Sequence, residues 1–374
     1  IGGLAALYPH LWLAMVVGTA AICYTVYLLY VGLPTFMNIP SDEGFLFSSS
    51  VLAVGLVVMN MVYQFFFFEK DIKQYSPEIL EVWQQQQKND ILYFAESSNM
   101  NVRDTDLIKK SISELTDDLL PELRIGAVNK PATHAGIYKH WIKNMCAPYP
   151  KGIVVTLNLR SFGADWRHSD LESALQASVV MLKPYPALIN RFLLALNAFD
   201  NKTAEIRAQE MLREWEETQF HFPFKVPYPT VRLWDNAMAN GSFTKPDGTW
   251  DMDKITLACH YVKSYAFQIE HNNPRLNDFD EIVRFCQEHH IRLVFNLLAE
   301  NTEYAQQYVG KELVQIMRYN RNLLVKRYQN KPWVQVVDNL ELLNGLDFSD
   351  QNWTTEHYGY DGRLKIAKQL AIAF

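Results

Sequence analysis

The first 41 residues contain no Asp, Glu, Lys or Arg. A run that long without a charged side chain has no polar face to turn toward water. Residues 11–31 are enough to cross the roughly 30 Å hydrocarbon core of a bilayer as one helix. A loop over 32–44 follows, with Pro34 and Pro40 and the first charges, Asp42 and Glu43. Residues 45–68 are again uncharged and again long enough to span. The pattern predicts two transmembrane helices joined by a short loop. It does not fit a cleaved signal peptide, because the start is not basic and the apolar length is too great.

From Glu69 onward the composition is that of a soluble domain, so the chain reads as 1–68 in the membrane, a connector over 69–89, and a large domain over 90–374. The formal charge is −6, and Lys and Arg are scattered, which gives no nucleic-acid footprint. Cys23, Cys146, Cys259 and Cys286 lie far apart with no CxxC pair, so neither a disulfide framework nor a thiolate metal site is expected. His134 and His140 do not have metal-pair spacing, and no metal or other cofactor is expected.

Short apolar runs alternate with helical patterns through the large domain. Strands are expected over 91–95, 124–128, 153–159, 291–298 and 333–337. Helices are expected over 106–120, 135–145, 170–182, 186–199, 279–290, 311–328 and 362–373. This alternation implies an α/β fold, a five-stranded parallel sheet covered on both faces, in a flavodoxin-like, doubly wound order. An insertion over about 200–275 interrupts it. Within the insertion, 221–250 is rich in Pro and aromatic residues, and is expected either as a lid or sugar-binding wall or as a segment packed on the core.

Each strand is followed by a polar cluster. These are Ser97 and Ser98; Thr133, His134 and Gly136; Asn158, Arg160 and Ser161; Glu300 and Asn301; and Asp350, Glu356 and His357. On a parallel sheet all five reach the same carboxyl edge, where open α/β sheets bind ligands. A serine between a strand and a helix N-terminus sits beside free N–H groups that stabilise negative charge.

Two resemblances follow from these residues. Tyr30-Val-Gly-Leu-Pro-Thr-Phe-Met-Asn38 and Ser48-Ser-Ser-Val-Leu-Ala-Val-Gly55 resemble part of a Yip-type multispanning membrane domain, over about 60 residues. Ala95-Glu-Ser-Ser-Asn99, together with His357, Gly362, Arg363, Ile366 and Ala367, resembles the SGNH/GDSL hydrolase superfamily over about 88–374. Here Glu96 stands where that family has Asp, and Ala95 where it has Gly. The resemblance is narrowest to membrane-anchored members of bacterial cell envelopes, which modify O-acyl groups on polysaccharides, often beside a membrane-bound O-acyltransferase.

That resemblance implies Ser97 as nucleophile, with Ser98 as the alternative, and His357 as its base. It implies an oxyanion hole built from the Ser97 N–H, the Gly136 N–H and the Asn158 side chain. The family's acid lies three residues before the histidine. That position is Thr354 here, which leaves Glu356 or Asp350 to orient His357. Arg160 and Asn301 are expected at the substrate, Arg160 either on an anionic group or in a structural salt bridge. The implied activity is that of a serine esterase or O-acyltransferase on an O-acyl, expectedly O-acetyl, envelope glycan. The alternative is a non-catalytic component that binds glycan or an acyltransferase. The implied place is the inner membrane with the large domain on the periplasmic side. Lys70 and Lys73, just after the second helix, argue for the opposite orientation by the positive-inside rule.

Overall fold

The computed structural model describes residues 11–66, 68–100, 106–180, 200, 202–241, 243–354 and 356–374. The chain divides into two compact units. One comprises Ile1–Pro77 with Gln176–Lys202, the other Glu78–Leu175 with Thr203–Phe374.

In the first unit, helices Leu11–Met37 and Ser41–Phe66 are joined by a short turn. Ala20–Met37 is long and apolar enough to cross a membrane, and the second helix carries a shorter apolar run, Glu43–Met59. The helices meet near the turn. The Tyr30 and Ser49 hydroxyls hydrogen-bond, Ser48 donates to the Leu29 carbonyl at 3.0 Å, and the Tyr30 and Phe45 rings lie 5.2 Å apart. Small residues and interhelical hydroxyl bonds are how helices associate where the surroundings are as apolar as the side chains. Ile22, Tyr27, Val54, Val57 and Met61 remain exposed, the pattern of a surface that faces lipid.

The second unit is built on five strands: β1 Ile91–Ala95, β2 Ile125–Asn129, β3 Gly152–Leu157, β4 Arg292–Leu297 and β5 Val334–Asp338. All pairs are parallel, in the order β2-β1-β3-β4-β5. This is the flavodoxin-type order, with its reversal of direction beside β1. Right-handed crossovers then put the β1–β2 helix on one face and the later crossover helices on the other. Side chains follow the two-residue period of a strand. Ile91, Tyr93, Ala95, Val154 and Val294 pack with Ile112 and Leu115 of helix Ile112–Leu119 and with Ile366, Ala367 and Leu370 of helix Tyr360–Ile372. On the opposite parity, Phe94 meets Tyr138 and Trp141 of helix Ala135–Lys143, and Phe295 meets Phe279 of helix Pro274–Glu288.

Helix ends differ from the sequence reading where caps decide them. The helix expected over 106–120 begins at Ile112, because Ser111 and Glu114 form a reciprocal capping box. The helix expected from 279 begins at Pro274, whose missing N–H is harmless in the first turn, with Asn273 as its cap. The helix expected over 170–182 is present as Glu172–Val180, and the one expected over 186–199 lies outside the described residues. The connector over 69–89 is split into helices Phe68–Tyr75 and Pro77–Lys88. The latter packs within the sheet-bearing unit. Trp83 Nε1 donates to the Asn144 carbonyl at 3.1 Å, and Lys130 pairs with Glu78 at 2.7 Å.

Candidate active site

β1 ends at Ala95, and the chain turns through Glu96 into a single helical turn, Ser97–Met100. Asn99 pins this turn. Its amide donates to Ser113 Oγ at 3.0 Å and Asn129 Oδ1 at 2.8 Å, and its carbonyl oxygen accepts the Ser113 N–H at 2.8 Å. The two adjacent serines therefore point differently. Ser98 is buried, and its hydroxyl has no hydrogen-bond partner. Ser97 is only partly buried and meets the C-terminal loop.

That loop, after β5, closes on itself. Phe348 and Tyr358 form an antiparallel bridge, Ser349 N donates to the His357 carbonyl, and Gly359 N donates to the Asp347 carbonyl, both at 2.7 Å. Asp350 and His357 thus lie across from one another beside the bridge. Tyr358 fastens the loop to the sheet edge through a 3.0 Å bond to the Ala299 carbonyl. Arg363 is fully buried. It donates to the carbonyls of Ile108, Lys110 and Tyr358 and pairs with Asp106 at 2.9 Å. Gly362 lets the last helix close on this loop, since a Cβ there would sit 2.9 Å from the Asp347 carbonyl oxygen.

The result is a chain of three side chains. His357 Nε2 lies 3.1 Å from Ser97 Oγ, and His357 Nδ1 lies 2.7 Å from Asp350 Oδ2. A proton on Nδ1 donated to Asp350 leaves the Nε2 lone pair for the serine hydroxyl. Of the two acids left open by the sequence, Asp350 meets the imidazole. Glu356 does not, because both its oxygens accept from the Arg160 guanidinium. Thr354, at the position where the acid was first sought, is buried with its hydroxyl 3.2 Å from that of Ser264.

The remaining expected residues separate into two groups. Asn158, at the end of β3, stays close. Its amide donates to Glu96 Oε1 at 2.6 Å, and its carbonyl oxygen accepts the Arg160 N–H at 2.9 Å. Gly136 does not join it. The Gly136 N–H is donated to the His134 ring at 3.1 Å, where His134 caps the helix, and Arg275 crowds the same spot. This removes it from the expected oxyanion donors. Arg160 is committed to Glu356 and lies over the Trp166 ring at 5.6 Å, so it holds protein and not an incoming anion. Asn301 caps helix Thr302–Tyr308 through the Tyr304 N–H at 3.1 Å. Its side-chain oxygen is spent on the cap.

The floor of the site is acidic and buried. Glu96, Glu300 and Glu356 are buried. Burial, then the Glu356 carboxylate, push the Glu96 carboxyl up to about 8 against the bond from Asn158. Burial and Glu356 hold Glu300 well above the usual range too, although Tyr265 donates to it. Tyr265 lies on helix Met252–Tyr265 of the insertion, and sequence reasoning did not single it out. Its only sequence signal is an apolar periodicity that marks a buried helix without saying what it is buried against.

The same helix supplies Ser264 to Thr354 and stacks His260 on Trp353 at 3.8 Å between ring centroids. The aromatic stretch 221–250 goes elsewhere. Phe222 and Phe224 pack on Tyr319, and Phe243 on Tyr308. Within the stretch Val231 and Trp234 are buried, while Trp250 and most of its other residues stay partly or fully exposed. A cavity of about 260 Å³ opens beside Phe162, lined also by Trp215, Phe220, Lys263 and Phe267. Ser97, His357 and Asp350 are not among its walls.

Comparison with known proteins bears on the other end of the chain. Residues 1–61 match the Yip1 domain. Over 62 residues the chain is 53% identical to the inner membrane protein YohC of Escherichia coli strain K12, and equally to YohC of Escherichia coli O6:H1. The match covers 17% of this chain and 32% of each relative, so the chain spans about a third of the length of the curated relatives it matches. By composition and by this similarity, the N-terminal part is a membrane segment; of the two spans expected, Ala20–Met37 is long and apolar enough to cross, and the second helix has the shorter run Glu43–Met59.

Proposed function

We propose that this chain is a membrane-anchored serine hydrolase of SGNH type, acting on O-acyl, chiefly O-acetyl, esters of an envelope polysaccharide. The observation that carries the reading is the hydrogen-bonded series Ser97–His357–Asp350 at the carboxyl edge of a parallel sheet. Ser97 Oγ attacks the ester carbonyl carbon while His357 Nε2 takes its proton. Asp350 stabilises the imidazolium that forms. The negative charge on the carbonyl oxygen is met by the Ser97 N–H and by the second amide hydrogen of Asn158, the first being held by Glu96. His357 then returns its proton to the departing sugar oxygen, the C–O bond to the sugar breaks, and the acyl group stays on Ser97. Water completes an esterase cycle; a sugar hydroxyl completes an acyl transfer. The Yip1-like helices hold the domain at the membrane, with its site on the periplasmic side beside a membrane-bound acyltransferase.

The test is labelling of the full chain with a fluorophosphonate probe. Ser97→Ala is expected to abolish labelling, Ser98→Ala to keep it, and His357→Ala to slow it by about 10²–10⁴-fold, the usual contribution of a general base. A wild type that stays unlabelled beside a working control would instead favour a glycan-binding component without catalysis.

A further inference from the structure

Beneath Ser97 lies a group of acids that, among the described residues, have a single basic partner in common. Glu96, Glu300 and Glu356 are each at most 4% exposed, and Asp165 adjoins them, its carboxyl pushed up to about 7 by burial in spite of Arg160. The cation that faces all of them is Arg160. That guanidinium is already bound by both oxygens of Glu356. The one pair is balanced, and every further carboxylate would be a buried charge with no counter-ion. Such groups take up a proton instead of ionising. Glu300 reports the same condition, since its Oε1 is buried with no hydrogen-bond partner.

Resting on the serine-hydrolase reading above, we propose that Glu96 is a positioning residue that works in its protonated form, holding the Asn158 carboxamide as an oxyanion donor. Asn158 is fixed at both ends. Its oxygen takes the Arg160 N–H, and one amide hydrogen goes to Glu96 Oε1. This defines which way the carboxamide faces and leaves its other hydrogen as a donor. A neutral Glu96 accepts that bond without adding charge. An ionised Glu96 would put a full negative charge one hydrogen bond away from the group that must receive the developing oxyanion. It would also weaken the donor itself, because an amide already given to an anion polarises less toward a second acceptor.

The other groups facing Glu96 cannot offset this. Glu356 and Tyr358 come from the C-terminal loop, Glu300 from the end of β4, Tyr93 from β1, and Tyr138 from helix Ala135–Lys143. Among the described residues, all apart from Arg160 are acidic or phenolic.

The experiment is the pH profile of the fluorophosphonate labelling rate, from pH 6 to 10, on the full chain in detergent, wild type against Glu96→Gln. Gln keeps an oxygen for Asn158 and is neutral throughout. The wild-type rate is expected to fall as pH rises past about 8, approaching tenfold per pH unit, and the Glu96→Gln rate is expected to show no fall there. A wild type that never labels removes the serine-hydrolase reading itself. A wild type that labels with no alkaline fall, or a Glu96→Gln protein that falls in parallel, removes only the role given to Glu96. A second measurement stands apart from that variant, namely ¹³C NMR of the chain with labelled Glu carboxyls. One carboxyl must titrate near about 8, and it must move to higher pH in Asn158→Ala, where the bond that favours the anion is gone. If every Glu carboxyl titrates in the ordinary range, the proposal fails.

Discussion

At the scale of single residues, Asp350 and Glu356 are six positions apart and have opposite employment. Asp350 is bonded to His357, Glu356 to Arg160. Asp350→Asn is therefore expected to cut the Ser97 labelling rate by about 10²–10⁴-fold with little change in stability, by losing the orientation and charge that support the imidazole. Glu356→Gln takes the charged partner from a buried guanidinium and is expected to destabilise the domain in urea unfolding, by less than the roughly 3–5 kcal/mol of a stranded charge, because Glu96, Glu300 or Asp165 can ionise beside Arg160 in its place. Equal rate losses from both variants would show that the two acids share one task. The sequence left these residues unresolved for a physical reason. Adjacent side chains diverge along an extended backbone, so nearness to His357 in the chain disfavours Glu356, whereas the Phe348–Tyr358 bridge that returns Asp350 to His357 is a tertiary feature. Ser97 and His357 were singled out through the resemblance carried by Ala95–Asn99 and by His357 with Gly362 and Arg363, and the structure brings the two side chains to 3.1 Å. Gly136 misled because its boundary is capped by His134, whose ring takes the N–H.

At the scale of elements, the sheet was read well because buried parallel strands are short uninterrupted apolar runs, and β1 was located to the residue. Helix starts were read less well, since a cap outweighs periodicity, as at Ser111 and Asn273. The element that most shapes the site's surroundings, helix Met252–Tyr265, was hidden inside an insertion whose aromatic content drew attention to 221–250. What holds the loop of Asp350 and His357 to the 106–110 segment is Arg363. With three carbonyls and Asp106 relying on it, Arg363→Met is expected to destabilise the domain by about 3–5 kcal/mol by leaving the carbonyls without their donor and Asp106 unpaired. Because two of those carbonyls belong to 108–110, hydrogen exchange in that stretch should rise before the sheet opens. Unchanged exchange there would mean that other contacts fix the segment.

At the scale of the whole molecule, the hydrogen bonds that join Ser97, His357 and Asp350 lie within the second unit. A chain that starts at Glu78 is therefore expected to label at Ser97 as the full chain does, with the same pH profile. Membrane attachment should divide differently. Residues 176–202 belong to the compact unit of the N-terminal helices although they lie inside the second unit's sequence. They carry only Lys183, Arg191, Asp200 and Lys202 as charges. By composition 176–202 is mostly apolar, and removing 1–77 leaves that stretch in place. The truncated chain is thus expected to float with liposomes, and to lose that affinity only when 176–202 is also replaced by a flexible polar linker. If removal of 1–77 alone gives a chain that stays with the aqueous fraction, the segment is covered within the second unit and the N-terminal helices are the whole of the anchor. If both deletions still float, the attachment lies in the sheet-bearing unit itself, and the site would have to be reached from the membrane surface.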